Sequence, residues 1–166
     1  MISQNGSAST VELSIPMRAE YVSIARLTAA GVANRLGFDI DAIEDIKVSI
    51  SEVCNRIINT QNNYSAGYCA DCKLVFNLSV NCLGIDFYVE DMESVASFMP
   101  AGALSENSLN GGSGIDIIDM DSLNDDRREE EFYKDQLQLS IISLLMDEFV
   151  VNPSESCIVS MKKYVD

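Results

Sequence analysis

The sequence has no histidine and no tryptophan, only three prolines, and 11 lysine or arginine residues against 26 acids. Without histidine there is no Ser-His or Cys-His nucleophile pair and no imidazole ligand for a metal, which excludes most hydrolase mechanisms and the commonest zinc sites. The shortage of cations leaves a net charge of −15 and a pI near 4.1. A nucleic-acid backbone is repelled by such a surface, and no local basic patch offsets the repulsion. No apolar run approaches the roughly 20 residues that span a bilayer. Met1 to Thr10 is polar rather than a basic segment followed by an apolar one. These absences lead us to expect a soluble, cytoplasmic protein with no nucleic-acid and no membrane partner.

What is present is core-forming material. Apolar residues make up 47% of the 166 positions and charged residues 22%, which suits one folded domain spanning 1–166 and leaves little room for a second core. The five cysteines, Cys54, Cys69, Cys72, Cys82 and Cys157, are an odd count without a secretory signal, so reduced thiols are expected rather than a disulfide framework. Cys69-Ala-Asp-Cys72 has C-x-x-C spacing but no second such pair. Incidental cysteines are expected there, with zinc or redox use as the alternative.

Val11, Leu13 and Ile15 alternate with polar residues up to Pro16, the pattern of a half-buried strand. From Glu20 to Leu36, apolar residues recur at steps of three and four, and Gly37 supplies a helix stop. Asp41 is placed to cap a second helix to about Asn59, with Ile43, Ile46, Ile50, Val53, Cys54 and Ile57 as its apolar stripe. Two alternating runs, Leu74–Val80 and Ile85–Val89, read as a hairpin turning near Asn81–Gly84. Between Met92 and Asp135 the periodicity lapses, and 11 acids against three bases contribute −8 of the net charge. This stretch reads as an acidic lid or insertion, of which Asp125–Asp135 can extend a helix. Leu137–Met146 is an apolar helix, Phe149–Val151 begins a strand, and Cys157, Val159 and Met161 alternate in the last one. The order implies an α+β fold: a two-layer α/β sandwich whose mixed, mostly antiparallel sheet carries its helices on one face.

Three segments carry a resemblance. Ser14-Ile-Pro-Met-Arg-Ala-Glu-Tyr-Val-Ser-Ile-Ala-Arg-Leu, Ile43-Glu-Asp-Ile-Lys-Val-Ser-Ile-Ser-Glu-Val-Cys and Leu144-Leu-Met-Asp-Glu-Phe-Val-Val together resemble the anti-sigma-factor serine kinases of the GHKL ATPase superfamily, the RsbW type, over residues 10–165. In that family the second helix carries a Glu that acts as general base and, four residues later, an Asn that holds the Mg²⁺ bridging the nucleotide phosphates. Here the Glu is Glu52 and the Asn position is Arg56. Arginine offers donors only and cannot coordinate a metal. Glu52, Arg56 and Asn59 share one polar face opposite the Ile46/Ile50/Val53/Ile57 stripe, and Glu followed by Arg at i+4 favours an ion pair. That face is accordingly expected to be solvated. Asn55 is turned about 100° from the required direction.

The family's Asp-x-Gly motif, which reads adenine, is matched by Asp91-Met92-Glu93, with a charged side chain in place of the glycine. Its Gly-x-Gly motif cradles phosphates at the start of the last helix. Gln136 and Gln138 stand at the two glycine positions, where a left-handed backbone would cost on the order of 1 kcal/mol. Aligning Gly111-Gly-Ser-Gly to that motif instead strands the Leu144–Val151 match too far downstream. Arg26 matches a helix-one arginine that the family presents to partners.

The resemblance therefore implies a protein that binds a sigma factor or its antagonist, sometimes as a homodimer, with nucleotide binding weakened or lost and no metal held. The alternative it implies is an active ATP- and Mg²⁺-dependent kinase phosphorylating an antagonist serine, with Glu52 as base, Asp91 on adenine, and Glu93 or Asn55 in place of the missing metal ligand.

Overall fold

A computed structural model describes residues 9–64, 70–89, 126–151 and 157–165, with side chains at all of these except 61–64 and 126–135. The elements follow in the order β1 (Ser9–Pro16), α1 (Ala19–Leu36), α2 (Ile40–Tyr64), β2 (Asp71–Ser79), β3 (Cys82–Val89), α3 (Asp126–Leu145), β4 (Glu148–Val151) and β5 (Cys157–Tyr164). The strands form one sheet in the order β1-β2-β3-β5-β4. Every pairing among the described residues is antiparallel, in keeping with the expected mostly antiparallel sheet. Of the expected acidic lid, residues 92–125 lie outside the described residues, and Asp126–Asp135 forms the first half of α3.

Alternation along the strands gathers one apolar face. Ile15 faces Cys72, which faces Val89; Phe76 faces Ile85, which faces Met161; and Phe87 faces Val159. All of these side chains are buried. The opposite face is polar: Asp86 accepts hydrogen bonds from Asn77 Nδ2 at 2.8 Å and Ser160 Oγ at 2.6 Å, and Lys73 Nζ lies 5.5 Å from the Tyr88 ring centre. Such two-sidedness requires the helices to cover one face only, and they join the sheet in a single core. One detail escapes the alternation in the sequence. A register shift between Phe87 and Tyr88 leaves Ile158 as an extra residue of β5, so Cys157, Ile158 and Val159 are buried in succession.

On α1, Ala25, Ala29 and Ala33 are fully buried at i+4 steps, small enough for a close approach of the neighbouring helix. The helix ends as expected at Gly37, whose φ of 87° is left-handed. The Gly37 and Phe38 N–H groups return to the Asn34 and Ala33 carbonyls, which is a Schellman cap. The cap of α2 is Asp39 rather than Asp41: Asp39 Oδ1 accepts the Ala42 N–H at 2.8 Å. Asp41 falls inside the first turn, where its charge complements the helix dipole instead. The hairpin turn also moves, to Val80-Asn81, because Leu83 and Gly84 are already paired with Leu78 and Asn77. Lys163 fastens the far end of the sandwich, donating to the Leu145 carbonyl at the end of α3 at 2.7 Å and approaching Asp45 of α2 at 3.5 Å.

Candidate functional site

Of the site positions from the sequence, Glu52, Asn55, Arg56 and Asn59 lie on α2. Ile46, Ile50, Val53 and Ile57 are sealed in the core, which fixes the rotation of the helix and hence where every other residue points. Glu52 is half-buried, while Asn55 and Asn59 are exposed. Arg56 overturns the expected solvated face, being only 2% exposed. Its place explains the burial, since it follows Val53 at i+3 and adjoins Ile57, so the packed surface of α2 is wider than its aliphatic stripe. The expected Glu52–Arg56 ion pair is not among the salt bridges of the described residues, and Arg56 has an interaction of its own.

Ser49 belongs to this face and was not singled out from the sequence. It precedes Arg56 by seven residues and Glu52 by three, which places all three along one side of the helix. Ser49 is fully buried and its Oγ has no hydrogen-bond partner among the described residues. Two residues on, Ser51 behaves as helical serines ordinarily do, donating to the Lys47 carbonyl at 2.8 Å. The signal for Ser49 was a polar residue set between Ile46 and Ile50.

Gln136 and Gln138 lie in the interior of α3, which runs unbroken from Asp126 to Leu145. The sequence reading put them at the entrance of a helix, under left-handed strain. Because the helix starts ten residues before Gln136, that strain is absent. More important, the backbone N–H groups at 136–138 point back along the helix to carbonyls four residues earlier, so they do not converge on an anion as a helix N-terminus does. Gln136 is exposed; Gln138 is half-buried, and its Oε1 is buried without a partner.

Arg26 is half-buried on α1, with its Nε buried and without a hydrogen-bond partner among the described residues. Beside it, Ile24 and Leu27 are exposed apolar residues. Asp91 and Glu93 lie outside the described residues, as do Cys69 and the Gly111–Gly114 run. Cys72 points into the core, where burial drives its thiol pKa strongly upward; Cys54, on α2, is pushed up to about 12 by the same cause. A thiol so placed is protonated and packs as a small apolar group.

The donor set does not fit Mg²⁺. That ion needs oxygen ligands in near-octahedral array. Arg56 offers N–H donors and a fixed positive charge, and no group of three or more His, Cys, Asp or Glu residues that could hold a metal occurs among the described residues. The phosphate end of a nucleotide would likewise find no free helix N-terminus at 136–138.

Against known proteins, no family model matches the chain. Individual relatives do. The chain is 36% identical over 155 residues to a serine-protein kinase RsbW of Bacillus thuringiensis (strain Al Hakam), covering 93% of this chain and 84% of that protein. It is 34% identical, with the same coverage, to proteins of the same description from Bacillus cereus (strain B4264) and Bacillus anthracis. Also, no helix among the described residues is long and apolar enough to cross a membrane.

Proposed function

Because the chain belongs to the RsbW family of serine-protein kinases, we propose that it is an anti-sigma-factor-like regulator whose nucleotide binding is weakened or lost. It works in the cytoplasm by capturing a sigma factor or that factor's antagonist, alone or as a homodimer. The observation that carries this reading is the unbroken course of α3 through Gln136 and Gln138. A phosphate cradle needs backbone N–H groups with no other partner, and a continuous helix consumes them. Arg56 in the metal position weakens the site independently. What the fold retains is surface, including the Ile24/Leu27 patch beside Arg26 on α1.

The test is calorimetric titration with ATP and ADP in Mg²⁺, with nucleotide taken to millimolar concentration. No detectable heat is expected, and Glu52→Ala should leave partner capture intact. A fitted micromolar affinity would overturn the reading.

A second reading, an active kinase transferring the ATP γ-phosphate to an antagonist serine, is favoured by the relatives' description as serine-protein kinases and by Glu52. That carboxylate is half-buried and carries no salt bridge among the described residues, so it remains available to accept a proton from a serine hydroxyl. Loss of antagonist phosphorylation in Glu52→Ala, with the fold unchanged, would select this reading.

A further inference from the structure

The mismatch between Arg56 and a metal-bound nucleotide site has its own consequence. Arg56 is 2% exposed on the α2 face that also bears Glu52. A guanidinium keeps its charge at every accessible pH, has no lone pair to offer, and presents N–H donors in a rigid fork. A divalent ion brought to this place would lose an oxygen ligand and meet a like charge in a setting of low dielectric, so both effects oppose it. The fully buried, unpartnered hydroxyl of Ser49 on the same face is a second sign that packing alone does not explain this side of the helix.

We infer that Arg56 is a built-in cation standing in place of the divalent metal, which makes the α2 site indifferent to Mg²⁺. The inference rests on the family reading of this face as the metal end of a nucleotide site. It differs from the proposed function in what it forbids: metal dependence, rather than nucleotide binding.

The experiment uses the full chain, as wild type and as Arg56→Asn, with Arg56→Gln in reserve because its longer amide fills more of the vacated volume; circular dichroism checks folding. Bound Mn²⁺ is read by electron paramagnetic resonance with ATP present, and ATP affinity by calorimetry in EDTA and in Mg²⁺. For wild type, we expect no bound Mn²⁺ and no gain of affinity from Mg²⁺. The amide variant should bind Mn²⁺ where wild type does not, and, where ATP binds measurably, its affinity should rise about tenfold or more when Mg²⁺ is added. Wild-type protein that holds Mn²⁺, or that binds ATP only with Mg²⁺, overturns the inference. A folded amide variant that remains blind to the metal also overturns it and leaves the proposed function standing. Wild-type binding of ATP at micromolar affinity, equal in EDTA and Mg²⁺, supports the inference and removes the proposed loss of nucleotide binding. Should neither variant fold, wild type alone decides: bound Mn²⁺, or ATP affinity that rises with Mg²⁺, overturns the inference, and ATP affinity equal in EDTA and in Mg²⁺ supports it.

Discussion

Two neighbouring sides of the packed surface of α2 obey different rules. On one, Ile46, Ile50, Val53, Cys54 and Ile57 are at most 1% exposed and join the strands and the alanine row of α1 in one core. On the other, Ser49 and Arg56 are equally deep but polar, and the Ser49 hydroxyl has no partner. The first side is what burial and helical periodicity demand. The second contradicts them, and one of its two members, Arg56, stands where the family resemblance implies a metal ligand. Local rules fail most informatively at sites shaped by something other than stability, so the contrast within one helix sets the scaffold residues apart from the proposed site.

Adjacent residues break the comparison most sharply. Ile50→Ala removes a fully buried side chain and should cost about 2–5 kcal/mol, the transfer of the lost methylenes plus the cavity they leave. The neighbouring change, Ser49→Ala, should act in the opposite sense. It deletes an orphaned hydroxyl whose desolvation is uncompensated, so a gain of about 1 kcal/mol is expected, with a small addition from helix propensity. Urea denaturation of both variants measures the pair. A Ser49→Ala variant less stable than wild type would mean that the hydroxyl is bonded in solution, and the two sides of α2 would then differ in composition but not in satisfaction.

The sequence foretold the regular side far better than the polar one. Period-2 and period-3.6 patterns located all five strands and the helices, and Gly37 ended α1 where its left-handed backbone requires a glycine. Caps and turns slipped by one or two residues, at Asp39 and at Val80-Asn81, because several acids or polar residues in a row can each serve and only tertiary packing chooses. Arg56 was misread for a deeper reason. Helical spacing gives a residue's direction but not the width of the covering surface, and a long cation next to Ile57 was assigned to solvent because it shares a face with Glu52 and Asn59 and can pair with Glu52 at i+4. The glutamines of α3 were legible as residues but not as geometry, since the helix start depends on 126–135, where the polar, acidic sequence leaves the apolar period weak. Ser49 announced itself only as a polar interruption of an apolar stripe.

The smallest effect comes from the sheet's edge, where polar groups are satisfied in full view of solvent. Glu148 on β4 accepts hydrogen bonds from Lys162 Nζ at 2.7 Å and from the Tyr164 hydroxyl, both on β5. The lysine bond first, and the tyrosine bond second, hold the Glu148 carboxyl below its ordinary range, and the same contact raises the Lys162 ammonium. A carboxyl whose pKa is lower in the folded than in the unfolded chain stabilises the fold above its unfolded pKa, and that contribution disappears as pH falls through the folded value. The urea midpoint of wild type minus that of Glu148→Gln should therefore be positive near neutrality and shrink toward zero as pH drops through and below the glutamate range, about pH 4. Because the pair is exposed, salt should shrink it too. A difference that does not change with pH would show that Glu148 acts through packing rather than charge. The edge would then resemble the aliphatic side of α2, where titration has nothing to act on.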